Sequence, residues 1–184
     1  FILIALLITG VFYFSPWLPL TLVSGLALAV IIFLRLDIGL ALVAATAPFY
    51  LHPRLLFGKS FSMAEILTLI CVLSWGVRQI PHLTSHISHL TSHISHLNSL
   101  DLAVLLFVLV AVASTFAAEH RHVALRELRV VVLEPALFYL MLRTSRLDGE
   151  AAWRVVDFFV LGGVVVALVG LAQFGLGVNV ITAE

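Results

Sequence analysis

The first thirty-four residues of the chain, from Phe1 to Leu34, contain no charged side chain. Similar apolar runs recur along all 184 residues, of which 62% are hydrophobic and only 11% are charged. Ordinary soluble domains carry about 25% charged residues. A water-soluble domain of this size cannot bury so much apolar surface, so the pattern predicts a chain that is surrounded by lipid.

Seven apolar segments are candidates for helices that cross a bilayer. A bilayer core about 30 Å thick is crossed by roughly 20 apolar helical residues. The segments are Phe1–Phe14, Leu20–Leu34, Ile38–Leu51, Phe61–Val77, Leu102–Ala118, Val130–Leu142 and Val155–Val178. They predict an all-α fold, a polytopic transmembrane bundle of about six or seven helices that forms one domain over residues 1–184. We expect this domain to be the incomplete, N-terminal part of a larger membrane protein.

The charged residues give no indication of a nucleic-acid partner and do not determine the orientation of the chain in the membrane. Ten Lys and Arg residues balance ten Asp and Glu residues, so no basic surface points to a nucleic acid. The basic residues divide evenly between alternate loops, so the positive-inside rule does not orient the chain. The sequence also leaves the oligomeric state open. The single cysteine, Cys71, cannot form a disulfide within the chain.

Residues 79–99 form a histidine-rich insert with an exact seven-residue repeat, His82–Ser88 followed by His89–Ser95. On a helix, the histidines would form one stripe beside a seam of Leu and Ile. Histidines four residues apart on a helix can chelate zinc or nickel. No carboxylate or thiolate joins them within the repeat, however, so we predict no metal site and favour an amphipathic segment on the membrane surface.

Four polar residues are candidates for substrate binding. Glu134 lies between apolar residues and Pro135, where a carboxylate could orient a cation or a hydroxyl group. The alternative is a pair between Glu134 and Arg126 or Arg129 at the membrane interface, which we favour. Arg126 and Arg129 would share a helix face that suits lipid phosphates or a diphosphate, or they belong to a solvated helix next to the membrane. Gln173 lies in the last apolar segment, where an amide more often bridges helices.

Several stretches resemble the early region of the bacterial O-antigen ligase and polymerase superfamily. The resemblance spans nearly the whole chain, although each motif is hydrophobic and short. The stretches are Pro48-Phe49, Phe57–Ile66, Asp101–Ser114, Ala124–Arg129, Glu134–Tyr139 and Gly170–Phe174.

The resemblance implies a multi-pass glycosyltransferase of the bacterial inner membrane. Members of this superfamily move a glycan from an undecaprenyl diphosphate carrier to an acceptor sugar in cell-envelope polysaccharide assembly, without a cofactor. Their functional arginines and histidine lie in later helices and an external loop, so we assign no catalytic residue and expect this chain alone to be inactive. The expected partners are membrane lipids and the undecaprenyl diphosphate-linked glycan.

Two other functional classes stay open. One is a multi-pass transporter with the histidine insert as a metal buffer, although the seven apolar segments contain no histidine ligand. The other is a non-catalytic membrane subunit.

Overall fold

The computed structural model describes residues 2–49, 54–56, 59–86, 98–145 and 147–177. Their secondary structure is helical apart from one short hairpin. In chain order, the elements are α1 (Ile2–Phe14), α2 (Leu18–Leu34), α3 (Leu36–Thr46), a 3-10 turn (Ala47–Phe49), β1 (Arg54–Leu56), β2 (Lys59–Phe61), α4 (Met63–His86), α5 (Ser99–Phe116), α6 (Arg121–Glu127), a π-helical segment (Leu128–Leu133), α7 (Glu134–Thr144) and α8 (Gly149–Leu176).

The chain folds as two compact units. The first unit comprises Phe1–Cys71 and Leu147–Glu184, and the second comprises Val72–Arg146. The first therefore contains α1 to α3, the hairpin, the start of α4 and all of α8. The second contains the rest of α4 and the helical elements from α5 to α7.

Helix α3 forms the core of the first unit. All of its residues are buried except Asp37 and Thr46, and it packs against α8. At the crossing, a Cβ atom on Gly162 would overlap the backbone carbonyl of Ala45, so only glycine permits this approach. A second tightly packed glycine, Gly39, lies in helix α3. A Cβ on Gly39 would lie 2.8 Å from the sulfur of Cys71 in α4 and 2.9 Å from the side chain of Ile32 in α2. Small residues thus allow the helix backbones to approach closely.

Helices α1 and α2 pack against each other beside this core. The chain between them contains Pro16, and a second proline, Pro19, lies in the first turn of α2, where proline is tolerated because the missing N–H has no helical partner. A Cβ on Gly25 of α2 would lie 3.0 Å from the ring of Phe12, which is buried. Helix α1 thus ends at Phe14, before Pro16, and α2 begins at Leu18.

Local hydrogen bonds stabilise the hairpin and the start of α4. β1 and β2 are antiparallel, with Arg54 opposite Phe61. Ser62 and Glu65 form a capping box at the start of α4: the Ser62 N–H donates to the Glu65 carboxylate, and the Glu65 N–H donates to the Ser62 hydroxyl, both at 3.1 Å. Glu65 thus has a structural role in the first turn of its helix.

The second unit contains an exposed apolar helix, α5. α5 begins with a capping box between Asn98 and Asp101 and has no buried residue. The Trp75 indole N–H donates to the Thr144 hydroxyl at 2.8 Å, which joins α4 to the end of α7. Met141 of α7 is fully buried.

The predicted count of six or seven transmembrane helices is wrong. Among the described residues, two helices are long and apolar enough to cross a membrane, α5 with 18 residues and α8 with 28. At a rise of 1.5 Å per residue, α1 and α3, with 13 and 11 residues, extend only about 20 and 17 Å. The predicted segment Val130–Leu142 is divided between the π-helical segment and α7. The helical character is confirmed, and the two long helices indicate association with a membrane.

The predicted number of transmembrane helices is wrong because an apolar helix can be either buried in the protein or exposed on its surface. The apolar residues of α3 are buried among other parts of the protein, whereas every residue of α5 is at least partly exposed. A sequence window registers the same hydropathy in both cases.

Candidate functional site

The residues predicted to bind substrate lie in two different units. Arg126, Arg129 and Glu134 belong to the second unit, within the helical stretch from α6 to α7. Gln173 belongs to α8 in the first unit, where it is half-buried.

The stretch that carries these three residues changes its helical pitch. The Leu128 N–H donates to the carbonyls of Ala124 and Leu125 at the end of α6. The Glu134 N–H donates to the carbonyl of Arg129, five residues earlier, which is the π-helical pattern. Pro135 follows directly. Its ring would clash with the carbonyl four residues earlier in a regular α-helix, and the wider turn before it relieves that clash.

The two arginines are exposed at this pitch change. Arg126 lies in the last turn of α6, and Arg129 lies at the start of the π-helical segment. Glu134, by contrast, is half-buried, and its Oε1 atom is shielded from solvent. Both arginine side chains thus reach solvent, whereas Glu134 is partly enclosed by protein.

A groove of about 270 Å³ lies between the end of α5 and the stretch from α6 into the π-helical segment. Small and apolar side chains form most of its lining, and Ser114, Thr115 and Glu127 are its polar members. Neither arginine lines it. The lining residues are Ala111, Ser114, Thr115, Ala118, Ala124, Glu127, Leu128, Val131 and Val132.

A second polar feature of this unit was not predicted from the sequence. At the start of α5, the Asp101 carboxylate accepts a hydrogen bond from the Tyr139 hydroxyl at 2.8 Å and pairs with Arg143 at 2.6 Å. The hydrogen bond to Asp101 raises the pKa of Tyr139. The spacing of four residues between Tyr139 and Arg143 places both on one face of α7, which is the signal that could have found them.

The first unit has a matching polar junction, which was also missed. Asp37, in the first turn of α3, accepts two hydrogen bonds of 3.1 Å from Arg35 and one of 2.6 Å from Arg154 of α8. Desolvation of Asp37 acts to raise its pKa, but the hydrogen bond and charge of Arg35 and the charge of Arg154 outweigh it and lower the pKa. This junction fastens α3 to α8 near the start of both helices.

The part of the chain that the structure describes contains neither a reactive cysteine nor a cluster of metal ligands. Burial raises the pKa of the Cys71 thiol to about 12, so it stays protonated at neutral pH and is a poor nucleophile. No group of three His, Cys, Asp or Glu side chains among the described residues could hold a metal ion. Helix α4 ends at His86, within the first copy of the repeat, and residues 87–97 of the insert lie outside the described residues.

Comparison with known proteins adds no relative. No family model, curated protein or solved structure matches the chain.

Proposed function

We propose that this chain is the membrane-embedded part of a bacterial inner-membrane glycosyltransferase that resembles O-antigen ligases. Such an enzyme moves a glycan from undecaprenyl diphosphate to an acceptor in cell-envelope polysaccharide assembly. The observation that carries the proposal is the exposure of Arg126 and Arg129 shortly after the apolar helix α5. Multi-pass insertion through α5 and α8 is part of the proposal.

The apolar surface of α5 supports contact with lipid. Exposed large side chains cover the helix along its length, including Leu102, Leu105, Phe107, Leu109 and Val110. Exposed apolar patches of this extent mark membrane or protein contacts. A polyprenyl tail has the same chemistry as the lipid that would surround this helix.

The basic residues support contact with a diphosphate. If α5 crosses the bilayer, α6 lies at the headgroup level, because only four residues separate the end of α5 at Phe116 from the start of α6 at Arg121. Arginine binds phosphate oxygens through paired N–H groups, and such charge-assisted hydrogen bonds are about twice as strong as neutral ones. Arg126 and Arg129 are three residues apart in the chain, and both side chains are exposed.

The proposed reaction needs no nucleotide sugar. An acceptor hydroxyl oxygen forms the new bond to the anomeric carbon of the glycan, the bond from that carbon to the diphosphate oxygen breaks, and undecaprenyl diphosphate leaves with the electron pair. The proton of the acceptor hydroxyl passes to a base. The proposal gives Arg126 and Arg129 the role of holding the carrier diphosphate and assigns no catalytic residue to this chain.

Carrier binding tests the proposal. The chain in lipid nanodiscs would be titrated with undecaprenyl diphosphate, undecaprenyl phosphate and undecaprenol, and binding followed by tryptophan fluorescence. We expect the diphosphate to bind most tightly. The double variant Arg126→Gln/Arg129→Gln should weaken diphosphate binding about tenfold or more, because each substitution removes charge-assisted hydrogen bonds to the phosphate oxygens.

The control for this experiment is Arg78→Gln, which removes an exposed arginine of α4 in the same unit. It should bind the diphosphate as the unaltered chain does. Equal binding of undecaprenol and undecaprenyl diphosphate, or full binding by the double variant, would contradict the proposal.

A further inference from the structure

The groove beside α5 offers hydrogen-bond acceptors in an apolar setting. The Ser114 hydroxyl donates its proton to the carbonyl of Ala111 at 2.8 Å, and the Thr115 hydroxyl donates to the carbonyl of Val112 at 2.7 Å. A hydroxyl has a single proton but two lone pairs. Both oxygens can therefore only accept a further hydrogen bond from a molecule in the groove.

Glu127 gives the groove a negative charge. Its carboxylate lines the groove and forms no ion pair or hydrogen bond with any residue in the described part of the chain. An ionised carboxylate is an acceptor only. The polar side chains of the groove thus comprise one carboxylate and two hydroxyl oxygens, and none of them has a donor left to offer.

This set of groups selects among headgroups by their chemistry. A phosphate or diphosphate placed against these three side chains would meet only acceptors. A quaternary ammonium has the right charge but no N–H. A primary ammonium carries a positive charge and three N–H donors, the same number as the three acceptor side chains.

The apolar part of the groove points to a lipid as the carrier of that ammonium. Ala111, Ala118 and Ala124 leave the volume open, and Leu128, Val131 and Val132 supply apolar surface. Ser114 and Thr115 are in the last turn of α5. If α5 crosses the bilayer, as proposed above, this end of the helix lies where headgroups lie.

We propose that the groove binds a phospholipid with a primary ammonium headgroup, of the ethanolamine type. Glu127 pairs with the ammonium, the hydroxyl oxygens of Ser114 and Thr115 accept from its N–H groups, and the apolar residues contact the glycerol and the first methylenes of the chains. The phosphate of this lipid stays outside the groove, in the hydrated headgroup layer, where water supplies its hydrogen-bond donors. The inference rests on the membrane crossing of α5, but it uses none of the residues assigned to the diphosphate.

Native mass spectrometry of the detergent-solubilised chain tests this site. Phospholipids with identical acyl chains and ethanolamine, choline or glycerol headgroups would be added in equal amounts. We expect the ethanolamine lipid to be retained about tenfold more than either of the others, the ratio that one charge-assisted hydrogen-bonded pair provides. Equal retention of the ethanolamine and choline lipids would overturn the proposal.

Two variants and one control locate the effect. Glu127→Gln should reduce retention of the ethanolamine lipid to that of the choline lipid, and Ala124→Leu should abolish it by filling the groove. Glu119→Gln removes a nearby exposed acid that does not line the groove and should leave retention unchanged. A loss of retention in Glu119→Gln equal to that in Glu127→Gln would indicate general charge attraction and overturn the site.

Two further comparisons separate the alternatives. Glycerophosphoethanolamine, which lacks acyl chains, should compete at least about a hundredfold more weakly, because each buried methylene contributes about 0.8 kcal/mol. Equal competition would show a site for a soluble amine and overturn the lipid assignment. Glu127→Gln should still bind undecaprenyl diphosphate, and Arg126→Gln/Arg129→Gln should still retain the ethanolamine lipid, so that failure of one proposal is visible apart from the other.

Discussion

Helices α3 and α5 are both apolar, and both carry an aspartate in the first turn that pairs with an arginine from another helix. Asp37 of α3 pairs with Arg154, and Asp101 of α5 pairs with Arg143. Yet α3 is enclosed by its own unit, whereas α5 has no buried residue. Apolar composition alone therefore does not show whether a helix is buried within the protein or exposed on its surface. Its length and the elements packed around it decide this.

The strongest test of this contrast removes the same side chain from each helix. Leu40 of α3 is fully buried, whereas Leu105 of α5 is 51% exposed. Leu40→Ala should destabilise the chain by about 4 kcal/mol, because a cavity remains in the core. Leu105→Ala should cost less than about 1 kcal/mol, because its side chain has few protein contacts to lose.

The measurement is reversible unfolding in mixed micelles of mild detergent and dodecyl sulfate, followed by circular dichroism. Similar losses in the two variants would show that α5 is packed as tightly as α3, and the comparison between the helices would fail.

A second test concerns the close crossing of α3 and α8. Gly162→Leu would force a side chain into the carbonyl of Ala45, which is backbone and cannot rotate away. We expect a loss of about 3 kcal/mol, typical of an overpacked core. The matched control is Gly163→Leu, because a Cβ on Gly163 meets no atom within 4 Å. If the Gly163 variant is destabilised as much as the Gly162 variant, helix propensity rather than the crossing sets the cost.

A smaller effect is expected at the polar junction of the first unit. Asp37→Asn leaves Arg35 and Arg154 without their charged acceptor and should cost about 2 kcal/mol at pH 7. Because the pKa of Asp37 is lowered in the folded chain, its contribution is present above the unfolded pKa of about 3.9 and is lost as the pH falls through the lower, folded pKa.

The matching measurement is the unfolding free energy between pH 7 and pH 2 for both chains. The difference between the unaltered chain and Asp37→Asn should shrink below about pH 4. A difference that stays constant over this range would mean that the carboxylate charge has no part in the junction.

The helices that could be predicted are the ones with a strong local signal. An uncharged run of apolar residues predicts α5, and the prolines near Trp17 predict the break before α2. The number of crossings could not be predicted, because burial of α3 depends on α8, which lies more than a hundred residues later in the chain. The 117-residue separation of Asp37 and Arg154 illustrates why their contact leaves no mark on a local window.

The candidate site divides in the same way. The sequence identified the cluster of Arg126 and Arg129 and the proline after Glu134, because charge density and proline are local features. It did not show the π-helical segment before Pro135, nor the groove that Glu127 lines, since a groove exists only once α5 packs beside α6.

By itself, the sequence determined that the chain is helical, that its composition is more apolar than that of an ordinary soluble domain, and that basic residues concentrate after α5. These properties follow from composition and from backbone preferences that act over a few residues. Only the tertiary structure decided which apolar helices are enclosed by protein and which side chains line the groove beside α5. Both depend on contacts between residues that are distant in the chain, and no residue determines such a contact alone.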